Sequence, residues 1–254
     1  GSAQTHPRPM HATYYGANGW LLELGGLRVL VDPWLTGPLE FPPGPWFFRG
    51  DLPRERPAPE GLDLLLLSQG LDDHCHPPSL ALLPNQLPVL ASPTAAAKAR
   101  RLGFQQVHAL APGASHQLGA LRITATAGAP VPQVENGYLL EHPEASLYLE
   151  PHGYLAPDVP AQRLDAVITP VVDLGLPLAG AFVRGSVVLP QLLERFQPRT
   201  VLASTAGGDV RFSGLLTQVL WQKGSPSAAA AELPEGCQLI DPEPGVRYAL
   251  PVGG

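Results

Sequence analysis

Five consecutive residues, Asp72-Asp73-His74-Cys75-His76, put two carboxylates, two imidazoles and a thiol into one short segment. Imidazole nitrogen and carboxylate oxygen are the donors that zinc, iron and manganese accept. In extended backbone His74 and His76 point to one face and Cys75 to the other, so two imidazoles with Asp73 beside them could hold a divalent ion. The alternative is that the acids cap a helix after Pro77-Pro78 and the histidines face water. A second acid–imidazole pair, Glu150-Pro-His152, stands after another apolar run. Proline fixes the chain there, so Glu150 and His152 could complete a site begun at Asp73, or could form an exposed turn. The candidates are therefore Asp73, Glu150 and His152 for acid–base work, and Asp73, His74, His76 and His152 as metal ligands. His116 and His142 lie among turn residues and read as surface histidines. Thr205-Ala-Gly-Gly-Asp209 could bring bare backbone to a ligand or be a tight turn. There is no Gly-x-Ser-x-Gly elbow, no phosphate-binding Gly-Lys loop and no dinucleotide fingerprint.

Residues 33–61 carry eight prolines interleaved with Trp34, Phe41, Trp46, Phe47 and Phe48. No regular element fits the stretch, and a long loop in a compact domain is usually a lid or a binding loop. Trp46 and Phe47, with Gln69, are the candidate substrate contacts. The same aromatic loop could dock a partner or touch a membrane surface; equally, its rings could fold back onto the sheet.

The elements that must position these groups follow from periodicity. Gly19–Leu24 and Leu27–Val31 flank Gly25-Gly26, the pattern of a hairpin. Asp63–Leu67 is an apolar strand running straight into the acid–imidazole segment. Further strands are expected at 89–91, 121–126, 137–141, 146–149, 166–171, 200–204, 238–240 and 248–250. Helices are expected near 79–83, 94–102, 187–196 and 214–221. Hairpins first, then strands alternating with helices, predict a layered α/β architecture. Leu30-Val-Asp-Pro-Trp34 and Tyr148-Leu-Glu-Pro-His152 form a weak internal echo, each a strand running into an acid and a proline; chance accounts for it as well as a duplicated half.

Composition limits the function classes. The 254 residues are 44% hydrophobic and 15% charged, enough to bury a core in one large domain or two small ones. No run reaches the ~18 apolar residues of a membrane span. A net charge of −6 and two lysines, Lys98 and Lys223, argue against a nucleic-acid groove. Two cysteines make no disulfide framework, which points to a reducing, cytoplasmic setting. Gly1-Ser2 reads as an expression remnant on a flexible segment 1–11, with one domain over 12–254.

Three segments carry a resemblance. Gly16-Ala-Asn-Gly-Trp-Leu-Leu-Glu-Leu24, Leu27-Arg-Val-Leu-Val-Asp-Pro-Trp34 and Leu64-Leu-Leu-Leu-Ser-Gln-Gly-Leu-Asp-Asp-His74 resemble the metallo-β-lactamase superfamily, and within it the UlaG-like metallohydrolases. The similarity continues through Val134–Tyr138, Leu147–Glu150 and Asp165–Pro170, spanning roughly residues 12–205. It implies a four-layer αββα sandwich with a metal site at the sheet edge. Against the family signature His-x-His-x-Asp-His, Gln69 and Leu71 stand in the leading histidine positions, while Asp73 and His74 match. The family's next histidine would fall near Thr126–Pro130, its bridging aspartate near Glu150–His152, and its last histidine where Ser204-Thr205 stands. Leu71 has no lone pair and Gln69 is a weak ligand, so the first metal position lacks its donors. The second keeps Asp73 and His74, with Glu150, His152 or His76 to complete it.

Three readings follow. One is a single-metal hydrolase of a small ester or phosphodiester, with one zinc, iron or manganese ion. A second is a metal-free relative that binds a small molecule or a partner through the same cleft. The third is a metal-free enzyme using Asp73–His74 or Glu150–His152 as an acid–base pair.

Overall fold

The computed structural model describes residues 8–204 and 209–253. Gly1-Ser2, most of the expected flexible segment and Thr205–Gly208 lie outside them. Residues 10 and 11, expected within the flexible segment, lie in the first strand, and Met10 is 1% exposed.

In chain order, β1 (Met10–Gly16), β2 (Gly19–Leu24) and β3 (Leu27–Val31) form a meander, and β4 (Leu39–Phe41) and β5 (Phe48–Asp51) follow. The chain continues through β6 (Leu64–Leu67), α1 (Pro77–Leu80), β7 (Val89–Ala91), α2 (Pro93–Arg101) and β8 (Val107–Ala109). Then come β9 (Ser115–Leu118), β10 (Leu121–Pro130), β11 (Val134–His142), β12 (Ala145–Leu149) and β13 (Ala166–Thr169). After β14 (Asp173–Leu176) and β15 (Gly180–Arg184) lie α3 (Gly185–Phe196), β16 (Thr200–Ala203) and β17 (Arg211–Ser213). A 3-10 turn at Leu215–Gln218, β18 (Trp221–Lys223), α4 (Pro226–Ala231), β19 (Gln238–Ile240) and β20 (Arg247–Leu250) complete it.

Two seven-stranded sheets face each other, in the orders β20-β1-β2-β3-β6-β7-β8 and β19-β16-β13-β12-β11-β10-β9. Between them lies the main core, where Tyr14, Trp20, Leu22 and Leu66 of one sheet belong to the same cluster as Ile123, Tyr138, Leu147 and Ile168 of the other. On the outer face of the first sheet α2 packs Ala95, Ala96 and Ala99 into a cluster with Leu65 and Val89. On the outer face of the second, α3 packs Val188, Leu192 and Phe196 into a cluster with Tyr148 and Val167. The layers are therefore helix, sheet, sheet, helix, as expected. Covered on both sides, the central parallel strands are apolar throughout: all four leucines of β6 are buried, as are all residues of β13 and β16. Helix α2 begins where the Ser92 side chain accepts from Ala95 N (3.4 Å) and proline takes the first position.

Two expectations are corrected here. Residues 33–61 are not devoid of regular structure, because β4, β5 and the distant β17 form a small sheet, β17-β5-β4. Residues 214–221 are not a helix; one 3-10 turn leads into β18, which joins a second small sheet, β15-β14-β18. Both small sheets depend on pairings far apart in sequence, which local periodicity does not reveal.

Candidate functional site

The chemistry-bearing residues gather where the parallel strands end. Asp32 follows β3 and Ser68 follows β6, two paired strands of the first sheet, and Glu150 follows β12 of the second. At the centre is His74, 1% exposed. Its Nδ1 is 2.7 Å from Asp32 Oδ2 and 3.0 Å from Ser68 Oγ. Asp32 also accepts from Ser68 N (2.9 Å) and from the Ser68 hydroxyl. On the other side of the ring, His74 Nε2 is 3.3 Å from Asp73 Oδ2 and 3.3 Å from Asn18 Nδ2, and Asn18 Nδ2 donates to the Asp73 carbonyl (3.1 Å).

His74 thus lies between two carboxylates. Burial by itself would lower its pKa, but Asp73 and Asp32 outweigh burial and push it up to about 10. Burial likewise works against the Asp73 carboxylate, and the His74 charge overrides it, holding its pKa below the usual value. The two carboxylates therefore favour the imidazolium form of His74 over the neutral ring.

His152 joins this cluster, its ring centroid 5.3 Å from that of His74. Glu150, 1% exposed, accepts from His152 N (2.9 Å) and Ala129 N (3.3 Å), with its Oε1 3.7 Å from His152 Nδ1. So Asp73, His74, Glu150 and His152 are brought together, as their spacing suggested. His76 is not among them. Its Nε2 is 3.1 Å from the Pro38 carbonyl, which can only accept, so Nε2 carries the proton and Nδ1 accepts from Ser79 Oγ at 2.7 Å. Both nitrogens are committed to the protein, and burial lowers the pKa of this imidazole. Nor do the acids cap α1: the N-cap is His76 with no side-chain cap, and Asp72 pairs with Lys98 (2.6 Å).

Over Asp73, Asn18 and His152 opens a cleft of about 380 Å³, walled by both small sheets. Phe41 and Phe48 come from β4 and β5, Phe212 from β17, Leu174 and Val183 from β14 and β15, and Trp221 from β18. The rings of Phe41 and Phe48 are 4.9 Å apart, and Phe48 stacks on Phe212 at 5.3 Å and 14°. The three expected substrate contacts are elsewhere. Trp46 is 60% exposed and lies edge-on to Phe47; their carbonyls accept from Leu215 N (3.0 Å) and Leu216 N (2.8 Å) and so tie down the 3-10 turn. Gln69 lines a separate surface hollow with Thr94 and Lys98. Sequence reasoning missed Asp32 and Asn18 as site residues. The echo of Asp32-Pro33 and Glu150-Pro151 was the available signal for Asp32, since both acids do end strands at this site.

With this geometry in hand, the class is clear: residues 11–204 match the family model described as "Beta-lactamase superfamily domain", and the chain belongs to that family. No curated protein matches it. Among solved structures it is similar to "a possible metal-dependent hydrolase from Veillonella parvula DSM 2008", at 14% identity and TM-score 0.69, over 96% of this chain and 100% of that one. It is also similar to an isothiocyanate hydrolase from Delia radicum gut bacteria (17%, TM-score 0.59, 77% of this chain and 84% of that one). A third is CmlA, a diiron β-hydroxylase from Streptomyces venezuelae (20%, TM-score 0.56, 80% of this chain); there the chain spans 46% of that protein's length. These likenesses establish the fold.

The donors present do not fit the metal pair implied by the resemblance. Leu71 is a hydrocarbon side chain 48% exposed, Gln69 faces a different hollow, and both nitrogens of His74 and of His76 are engaged. Among the described residues no group of three or more His, Cys, Asp or Glu side chains is arranged to hold a metal ion. No helix among them is long and apolar enough to cross a membrane.

Proposed function

We propose that this chain is a beta-lactamase-superfamily protein that binds a small, largely apolar molecule in the cleft above His74 and does not depend on a metal ion to do so. The observation that carries the reading is the pairing of a 380 Å³ cleft, walled mainly by aromatic and aliphatic side chains, with a floor of Asn18, Asp73 and His152. Few polar groups at the base of an apolar concavity, with a volume in the range of roughly 300–1,000 Å³, is the usual form of a small-molecule site. The reading is supported by donor chemistry: Leu71 has no donor atom, Gln69 faces a different hollow, and both nitrogens of His76 are engaged by Pro38 and Ser79. Within the superfamily we read the chain as UlaG-like, a reading supported by the resemblance of Gly16–Leu24, Leu27–Trp34 and Leu64–His74.

The test is elemental analysis of wild type, Asp73→Ala and His74→Ala beside a thermal-shift screen of wild type and Leu216→Trp, which fills the cleft. Expected are background zinc, iron and manganese in all three, and ligand-induced shifts that vanish in Leu216→Trp. A stoichiometric metal lost in both alanine variants would overturn the reading in favour of a single-metal hydrolase.

A further inference from the structure

Three segments that wall the cleft contain no charged residue: 41–48, 174–183 and 212–222. Tertiary contacts bring them together. The Trp46 and Phe47 carbonyls accept from Leu215 N and Leu216 N, Phe48 stacks on Phe212, and Trp221 Nε1 donates to the Leu176 carbonyl (3.1 Å). Trp46, Leu178, Phe212, Leu215, Val219 and Trp221 stand exposed on these segments. Large apolar side chains gathered at one exposed place mark a surface that a partner or a membrane covers.

The tip of the β14–β15 hairpin is the clearest case. Pro177, Leu178, Ala179 and Gly180 are all exposed and none is polar, where turns ordinarily carry Asn, Asp or Ser. Leu178 has φ 64°, a left-handed conformation that suits Asn or Asp better than leucine. Neither packing nor turn geometry accounts for a leucine there.

Charge selects the occupant. Arg184, Arg211 and Lys223 directly follow or precede the uncharged segments and have no carboxylate partner among the described residues. The carboxylates of the same two small sheets are engaged, Glu40 and Asp51 by Arg49 and Asp173 by Ser186. A second copy of the chain, docked about a two-fold axis, would set these cations against their own counterparts. An anionic bilayer answers both features, with acyl chains for the rings and leucines and phosphates for the cations.

We infer that this face docks on an anionic lipid bilayer, with the 177–180 tip and the 215–221 turn entering the headgroup layer and Arg184, Arg211 and Lys223 at its surface. The inference does not rest on the small-molecule reading above. It sets the mouth of the cleft against the membrane, so that an apolar molecule passes between the two without crossing water.

Flotation of the protein with vesicles of phosphatidylcholine alone, and of phosphatidylcholine mixed with phosphatidylserine, tests this. Tryptophan emission is read beside it, because Trp46 and Trp221 are exposed while Trp20 and Trp34 are buried. Expected is tighter binding to the mixed vesicles, about fivefold for each of the three cations, with emission moving to shorter wavelength. Leu178→Asn, a residue suited to the backbone there, should weaken binding to the mixed vesicles roughly tenfold with no fall in melting temperature. Arg211→Gln or Lys223→Gln should each remove about fivefold from the mixed vesicles and leave phosphatidylcholine alone unchanged. No flotation with either vesicle, equal binding to both, or binding untouched by Leu178→Asn would overturn the inference. A dimer in sedimentation that Leu178→Asn dissolves, with no flotation, would overturn it in favour of a second copy. The comparison of the two vesicles in wild type stands even if a variant fails to fold, and ligand-induced thermal shifts judge the cleft separately.

Discussion

His74 and His76 are two residues apart in sequence and equally hidden, at 1% and 3% exposure, yet they end in opposite states. His74 is held by the carboxylates of Asp32 and Asp73, which favour its charged form. His76 donates to a carbonyl and accepts from a hydroxyl, and is neutral. Burial pushes both pKa values down; only His74 has anions close enough to reverse it. Burial alone therefore says nothing about whether an imidazole is a charge, a ligand or a strut. His74 centres the cleft floor, whereas His76 pins the 33–61 segment to α1 through Pro38 and Ser79, with Trp34 edge-on at 6.4 Å.

The largest predicted effect breaks the charged side of this pair. His74→Ala leaves Asp32 buried beside Ser68 with no cation, and removing one partner of a buried ion pair costs ~3–5 kcal/mol; urea unfolding should show a loss of that order. Next comes His76→Ala, which leaves the Pro38 carbonyl without its donor and the Ser79 hydroxyl proton without its acceptor and should cost ~1–3 kcal/mol by the same assay. If the two variants lose equal stability, the contrast fails.

The pH dependence sharpens the comparison, because the two histidines act in opposite directions. The folded pKa of His74 is raised to about 10 from 6.5, so its stabilisation is full below pH ~6.5 and lost as pH rises toward ~10. For His76 the folded pKa is lowered, so its contribution is present above ~6.5 and lost as pH falls. Asp73, also lowered, adds to the loss at acid pH, below ~4. Unfolding free energies from pH 5 to 10 should lose their alkaline decline in His74→Gln and part of their acid decline in His76→Gln. The smallest effect is at the rim: Trp46, 60% exposed, should change stability by no more than ~0.5 kcal/mol on replacement by alanine, measured by melting. A large drop would show its ring to be core.

Much of the frame was legible because it depends on local pattern. The leucine run of β6, the Gly25-Gly26 hairpin and the alanines of α2 each specify an element within a few residues. The site was partly legible: Asp73, His74, Glu150 and His152 do converge, since strand ends place them. His76 was misplaced because an extended segment was assumed where His74 N and Cys75 N both turn back to the Leu71 carbonyl, which ends the alternation of faces. Asn18 gives no chemical signal in the sequence, and only the turn between β1 and β2 delivers it to His74. Of the aromatic residues in the 33–61 segment, Phe41 and Phe48 line the cleft, whereas Trp46 and Phe47 do not.

The sequence by itself determined the layers and the order of the main strands, because side-chain type and short-range periodicity decide those. Tertiary structure alone decided the charge on His74, the neutrality of His76 and the cleft itself. Asp32 lies 42 residues from His74, and the cleft's wall joins β4 and β5 to β17 and β18 from the far end of the chain. An ion pair or a cavity wall made across such separations depends on where the chain returns, and no local pattern carries that information.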